Sequence, residues 1–293
     1  MPVRILELGK QFRPSTSIVY PPFKNGKYME EYFYDYVMAH KDEIDSDRVY
    51  IPIFWTNLQN HPGFKSQKRN YEFLLSIAMG QMPYGTKYFT VVQHDDGPML
   101  KMSDDVLIFG ACTGNIPLPL IYEDKTNRLL NISRNTGKQV LASFIGSITH
   151  ELRTKLRDNL RGDNNIFLGV QGEWTPSVSQ SAADLFIEKT NQSRFCLAPR
   201  GYGRSSFRFF EAMLLDTIPV YFWDDIEWLP YKDILDYTKF SVSIHINDIG
   251  KTREILKSIS NEKYINMVEE MKKVRHHFTL EGMSEYILNK IKT

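Results

Sequence analysis

Residues 195–225 read FCLAPRGYGRSSFRFFEAMLLDTIPVYFWDD, and seven of them gather unusual chemistry: Arg200, Gly201, Gly203, Ser205, Ser206, Arg208 and Glu211. A glycine- and serine-rich loop ahead of an apolar run is the pattern of a helix start that holds an anion. The first N–H groups of a helix lack intrahelical partners, and the dipole puts its positive end there. Gly201 and Gly203 let backbone approach a ligand closely. Ser205 and Ser206 add hydroxyl donors, with Ser205 expected as the N-cap and the helix beginning near Ser206. The partner such a site suits is phosphate. Glu211 falls more than one turn into the helix, three residues from Arg208. A carboxylate at that depth would meet ribose hydroxyls rather than phosphate, which fits a nucleotide. The same residues also fit an ordinary ion pair of Arg208 with Glu211 on the surface of an amphipathic helix.

The elements around this loop place it. RFCLAP reads as a strand ending at Pro199, SSFRFFEAMLLD as a helix and TIPVYFWD as a strand. Upstream, QVLASFIGS and NIFLGVQG read as strands, and THELRTKLRDNL and SQSAADLFIEKT as helices, the first capped by Thr149. KFSVSIHI follows as a strand, then a mostly helical tail. This alternation predicts a doubly wound α/β domain, which binds ligands beyond the carboxyl ends of its strands. The first half is more aromatic. Helices are predicted over residues 27–42 and 69–82, strands over 48–55 and 104–111, and a strand that runs into a polar turn over 87–98. The polar stretch 122–138 is expected to join two domains.

Composition narrows the classes. A chain of 293 residues with 42% hydrophobic content can bury a large core and is near the size at which chains divide. Its 36 basic and 35 acidic residues leave a net charge of +1, which argues against a nucleic-acid coat. Cys112 and Cys196 lie in separate apolar runs, so neither a disulfide framework nor a cysteine zinc site is expected. The amino terminus shows no secretory h-region, and no apolar run reaches the length of a membrane span. A soluble, cytoplasmic chain is the expectation.

The donor stretch resembles the signature of the exostosin family of glycosyltransferases. The resemblance rests on Pro-Arg-Gly at 199–201, Ser-Phe-Arg-x-x-Glu-Ala at 206–212, Ile-Pro-Val at 218–220 and the acidic turn of Asp224 and Asp225. Phe-Ile-Gly-Ser at 144–147, followed by Arg153, resembles the family's first donor-domain strand. His-Asp-Asp-Gly-Pro at 94–98 resembles its His-Asp-x-Gly-Pro turn, with Asp96 a departure from the usual aromatic. Residues 48–55 resemble a family strand that carries Val-Pro. The resemblance implies two Rossmann-like domains facing across a cleft (the GT-B type), residues 1–130 for the acceptor and 131–293 for a UDP-sugar. The last helix is a candidate for returning to the first domain. It also implies inverting transfer to a hydroxyl of a glycan or glycoprotein.

Such transfer needs the departing diphosphate stabilised, the acceptor hydroxyl aligned and a base for its proton. The first task goes to the donors around Ser205 and Ser206, with Arg153, Arg200 or Arg208 as cationic partners. Asp95 is the expected base, with His94 as orienting group or alternative base and Asp96 beside them. Asp35 and His61 have no motif behind them. Asp224 and Asp225 are expected on sugar hydroxyls. No metal is expected, because loop donors and arginines carry the diphosphate charge. A metal-dependent transferase of the GT-A type would instead use an acidic pair at 45–47, 103–105 or 223–225. A third reading is a non-catalytic nucleotide-sugar or glycan-binding module. UDP-xylose or UDP-galactose is the first expectation for the donor, since no cation is set aside for a uronate. Trp55, Tyr84 and Phe89 are candidates for stacking on an acceptor sugar. His276 and His277 point apart on one helix and are not expected as ligands.

Overall fold

The computed structural model describes residues 2–15, 26–134, 137–172, 175 and 178–292. The alternating apolar runs fold into two units, each around its own parallel sheet. One unit holds the described residues up to Glu123 together with 279–292, and the other is Asp124–Phe278. The division thus falls ahead of the expected 130/131, and the C-terminal helix belongs to the first unit.

In the first unit the order is β1 (Arg4–Ile5), α1 (Met29–His40), β2 (Arg48–Tyr50), α2 (Trp55–Asn60), α3 (Phe64–Gly80), β3 (Lys87–Val92), β4 (Leu107–Gly110) and β5 (Ile116–Pro117). The strands pair in parallel in their sequence order, β1-β2-β3-β4-β5. β3 is buried from Tyr88 to Val92, as a central parallel strand covered on both faces must be. Across the sheet Tyr50 stacks on Phe89 at 5.2 Å, and Phe33 and Phe109 meet this pair edge-on. Each such aromatic pair adds about 0.5–1.5 kcal/mol beyond area burial. The expected strand 48–55 is shorter than its apolar run. It leaves the sheet after Tyr50, and Trp55 already opens α2. Two-residue β1 and β5 were not expected.

The second unit continues with β6 (Val140–Ser147), α4 (Glu151–Leu160), β7 (Ile166–Gln171), α5 (Gln180–Gln192), β8 (Ser193–Pro199), α6 (Phe207–Leu214), β9 (Ile218–Trp223), β10 (Val242–His245), α7 (Thr252–Ser258) and α8 (Asn261–Val274). Its parallel sheet runs β7-β6-β8-β9-β10. The chain therefore steps one way from β6 to β7 and then back past β6 to β8. With right-handed crossovers, that reversal puts α4 on one face and α5 and α6 on the other. A crevice opens between the carboxyl ends of β6 and β8. α6 buries Phe209, Phe210, Ala212 and Met213, and Ala212 joins Ile145, Phe186, Ile187, Cys196 and Leu215 in one core cluster.

The described part of 122–138 is not a free linker. Leu129 is buried in that same cluster, and Arg134 donates to the carbonyls of Leu129, Leu130, Ile132 and Leu214. The final helix, α9 (Leu280–Ile291), buries Met283, Tyr286 and Ile287, and its Ile291 carbonyl accepts from Ser46 Oγ at 2.9 Å within the first unit. No described helix is long and apolar enough to cross a membrane.

Candidate active site

Residues at the carboxyl ends of β6, β8 and β9 converge on one network. Arg153, in the first turn of α4, spends its guanidinium on three backbone carbonyls. It donates to Ser147 at 2.8 Å, Arg200 at 3.0 Å and Pro199 at 3.2 Å. It therefore ties the end of β6 to the end of β8 across the crevice. A Cβ on Gly201 would stand 3.2 Å from an Arg153 nitrogen and 3.4 Å from Thr149 Oγ1, so glycine at 201 keeps this junction closed. Arg200 donates to Asp224 at 2.7 Å, Asp225 at 3.0 Å and the Tyr202 carbonyl at 2.9 Å. Arg204 donates to Asp225 at 2.7 Å and lies over the Trp228 ring. Two guanidinium groups thus meet two carboxylates, with the Arg153 guanidinium bonded to carbonyls beside them. For Asp225, burial works to raise the carboxyl pKa, but hydrogen bonds from Arg204 and the Ile226 N–H, with the Arg200 charge, hold it below the ordinary value.

The loop closes with Gly201 N–H donating to the Ser205 carbonyl. Ser206, not Ser205, is the N-cap residue, and α6 begins at Phe207. The Ser206 hydroxyl makes no capping bond. Ser205 and Ser206 are buried, at 6% and 4% exposure. Among the described residues neither hydroxyl has a hydrogen-bond partner. Both hydroxyl oxygens, uncommitted, keep access to solvent at the helix start and stand open to an acceptor. Gly203 is buried in the same loop.

Arg208 and Glu211 pair directly. The pair is not a surface one, because the Glu211 side chain is only 4% exposed. Arg208 also donates to the Ile145 carbonyl at 2.9 Å and lies 4.0 Å over the Phe186 ring. It fixes α6 against β6 as firmly as Arg153 fixes the loop.

Sequence reasoning missed His150. It, rather than Thr149, is the N-cap of α4 and accepts from the Leu152 N–H. Its Nε2 lies 3.5 Å from Asp224 Oδ2. Burial and the nearby Arg200 charge push its pKa below the usual histidine value, against the pull of Asp224. His245 Nε2 meets the Asp224 carbonyl at 3.2 Å, so two imidazoles flank that aspartate. A histidine beside a threonine at a helix start was the available signal.

In the first unit, His94, Asp95 and Asp96 form the turn after β3. Gly97 closes it with φ +72° and donates to the His94 carbonyl. His94 Nδ1 accepts from the Asp96 N–H at 3.2 Å. Burial lowers the His94 pKa, opposed by the charges of Asp95 and Asp96. Asp95 and Asp96 are exposed, and Asp95 Oδ1 accepts from the Cys112 thiol at 3.1 Å.

Other candidates fall away. Trp55 and Phe89 are fully buried, and Trp55 donates to Thr90 Oγ1, so neither presents a face to a sugar. Tyr84 is fully exposed. Asp35 pairs with Lys27 and Asp47 with Lys87. His61 accepts from the Gly63 N–H in an exposed turn. Among the described residues no group of three or more His, Cys, Asp or Glu side chains could hold a metal ion. His276 and His277 do not point apart as expected. They fall in a 3-10 turn, which brings their rings to 3.9 Å.

Comparison with known proteins bears on this arrangement. The model of the exostosin GT47 domain matches residues 109–259. A "Probable glycosyltransferase At5g25310" of Arabidopsis thaliana is 27% identical over 67% of this chain and 43% of its own length. A "Probable beta-1,4-xylosyltransferase IRX10L" of the same plant is 24% identical over 80% of this chain and 64% of its own. A "Probable glucuronosyltransferase Os01g0926700" of Oryza sativa subsp. japonica is 33% identical over 74% and 60%. The chain thus spans about half the length of the curated relatives it matches. Among solved structures, an α1,3-fucosyltransferase covers 88% of this chain and 84% of its own at 14% identity and TM-score 0.42. TarM does so over 88% and 57% at 12% identity and TM-score 0.42.

Proposed function

We propose that this chain, which belongs to the exostosin GT47 family of glycosyltransferases, moves a sugar from a UDP-sugar to a hydroxyl of a glycan or glycoprotein acceptor with inversion. The observation that carries the donor assignment is the pair of uncommitted hydroxyls of Ser205 and Ser206 at the start of α6, beside the guanidinium groups of Arg200 and Arg204 and two carboxylates. In this reading the diphosphate sits on those hydroxyls and the first N–H groups of α6. Arg153 and Arg208 hold the cradle, and Arg200 supplies the nearest charge. Glu211 turns from Arg208 to the ribose hydroxyls. Asp95 takes the acceptor proton as the acceptor oxygen bonds to the anomeric carbon, and the bond to UDP breaks with its electron pair on the diphosphate. His94, whose pKa is lowered by burial, orients that turn. In this reading no metal is needed, because the loop arginines and the first N–H groups of α6 take the leaving charge.

Asp224 and Asp225 keep oxygens for sugar hydroxyls while neutralising Arg200 and Arg204. Among the described residues Arg200 and Arg204 are both engaged by these carboxylates and neither is set aside for a uronate, which favours UDP-xylose or UDP-galactose. The buried thiols of Cys112 and Cys196 suit a reducing compartment, and a cytoplasmic chain is part of this proposal.

Thermal unfolding with ligands tests the donor assignment. A ligand at 100 times its Kd stabilises the folded state by about 2.7 kcal/mol. UDP is expected to raise Tm far more than GDP, and Ser206→Ala to weaken UDP by roughly 10- to 100-fold, the range of a lost bond to a charged group. Equal shifts for the two nucleotides would overturn the uridine assignment. Turnover is expected to persist in excess EDTA; loss restored by manganese would favour metal-assisted transfer.

A further inference from the structure

We propose that His150 is a sugar-binding residue of the donor site, its Nε2–H standing beside Asp224 Oδ2 so that the two together take one hydroxyl of the transferred sugar. The proposal rests on the reading of the second unit as the UDP-sugar site. His150 caps α4 just beyond the end of β6, and Asp224 follows the end of β9. β8 lies between those strands, so the pair joins elements on either side of the strand that leads into the serine loop. Each partner is held by its other atoms. The His150 Nδ1 accepts from the Leu152 N–H at 3.2 Å, which puts the ring proton on Nε2. Asp224 Oδ1 accepts from Arg200 at 2.7 Å. His245 Nδ1 accepts from the Asn247 N–H at 3.3 Å, so its proton also sits on Nε2, which donates to the Asp224 carbonyl at 3.2 Å. What remains is one N–H and one carboxylate oxygen, 3.5 Å apart. That is longer than an ordinary N–H···O bond, and among the described residues neither atom has another hydrogen-bond partner.

A donor and an acceptor side by side select for a hydroxyl. A hydroxyl both accepts and donates, so its oxygen takes the Nε2–H while its own proton goes to Oδ2. A phosphate would accept the N–H but be repelled by the carboxylate. A metal ion would meet the carboxylate but find a donor, not a ligand, in the protonated nitrogen. Both side chains are reachable, at 24% and 23% exposure. Burial first, then the Arg200 charge, lowers the His150 pKa, with a smaller push from Arg153 and against the pull of Asp224 and Glu151. That favours the neutral ring with its single proton on Nε2. Arg200, which bonds Asp224, also begins the serine loop, so a diphosphate held in that loop carries its sugar toward this pair.

The test is calorimetric binding, at mildly alkaline pH, of UDP and of UDP-xylose, UDP-galactose, UDP-N-acetylglucosamine and UDP-glucuronate. His150→Asn keeps an oxygen for the Leu152 N–H, since asparagine is a strong N-cap, and removes the Nε2–H. It is expected to leave Tm and the Kd of UDP unchanged. The Kd of at least one of the four sugar nucleotides is expected to rise by about 2- to 12-fold, the range of one neutral hydrogen bond. A role confined to capping α4 would move UDP and UDP-sugar alike or neither. Deoxy donors then identify the hydroxyl. One monodeoxy form of that sugar nucleotide is expected to bind the unsubstituted protein more weakly by a similar factor, and to lose nothing further in His150→Asn, because the two changes remove the same contact. A ratio of UDP-sugar to UDP affinity that His150→Asn leaves unmoved for all four sugars would overturn the role of His150 and leave the donor site in place. Monodeoxy donors that all bind the unsubstituted protein like their parent would overturn it even where the variant does not fold. UDP that does not bind the unsubstituted protein would remove the donor-site reading, and this role with it.

Discussion

The two sheets have the same strand count and the same parallel pairing, yet differ in one topological step. In the first unit the strands follow sequence order, and the sheet has no reversal. In the second unit β8 returns past β6, and the carboxyl ends of those two strands separate. Arg153 spans that gap with three carbonyl contacts, and the serine loop opens beside it. A reversal makes a crevice without any special loop. Without one, the chain beyond β3 and β4 of the first unit closes in tight turns, where a Cβ on Gly97 or Gly110 would press on Thr113. One unit offers a cationic recess fit to hold an anion. The other offers an exposed carboxylate on a rigid turn.

Substitutions can break this division of labour. The largest effect is expected in the first unit. Asp95→Asn keeps the shape and removes the basicity, with a loss of roughly 10²–10⁴-fold in turnover. Its UDP affinity, measured by calorimetry, stays normal. Near-normal turnover would move the base to His94 or elsewhere.

In the second unit, Glu211→Ala strands the Arg208 guanidinium, which is half-buried beside it. Losing the charge-assisted partner costs about 1.5–3 kcal/mol, read as a lower Tm together with weaker UDP binding. Glu211→Gln keeps a partner for Arg208 and separates the two: stability recovers, UDP affinity does not. If both variants bind UDP normally, Glu211 serves only the fold.

Gly201→Ala sharpens the role of the crevice junction. Its Cβ presses on the Arg153 guanidinium and Thr149, so a UDP affinity loss of several-fold is expected with little change in Tm. The smallest effect is on pH. His150 and His94 both have pKa values lowered on folding, chiefly by burial. The unfolded chain therefore takes up their protons first, and stability is lost as pH falls below about 6.5 toward the lower folded values. His150→Asn and His94→Asn are each expected to flatten the acid side of a stability-versus-pH curve. A slope that neither changes would assign it to other groups.

Much of the second unit was legible because its chemistry is local. The apolar spacing of residues 207–214 gives α6, and glycines and serines before it give the loop. What failed depended on contacts far apart in sequence. His150 gains its meaning from Asp224 on another strand, and no spacing announces that. The polarity of 122–138 suggested a linker, but Arg134 uses its donors on protein carbonyls rather than water. Trp55 and Phe89 read equally well as platform or core, since aromatic residues carry no sign of which side they face. β1 and β5 are too short to show a period. The bond of Cys112 to Asp95 joins two turns that only the β3 and β4 register brings together.

Hydrogen exchange with and without UDP tests the central claim most directly, because it reads each unit separately in the same sample. The account predicts new protection at the loop 200–206, the first turn of α6 and the carboxyl end of β6, with GDP giving much less. Protection centred on the turn 94–97, or equal protection by both nucleotides, would contradict it.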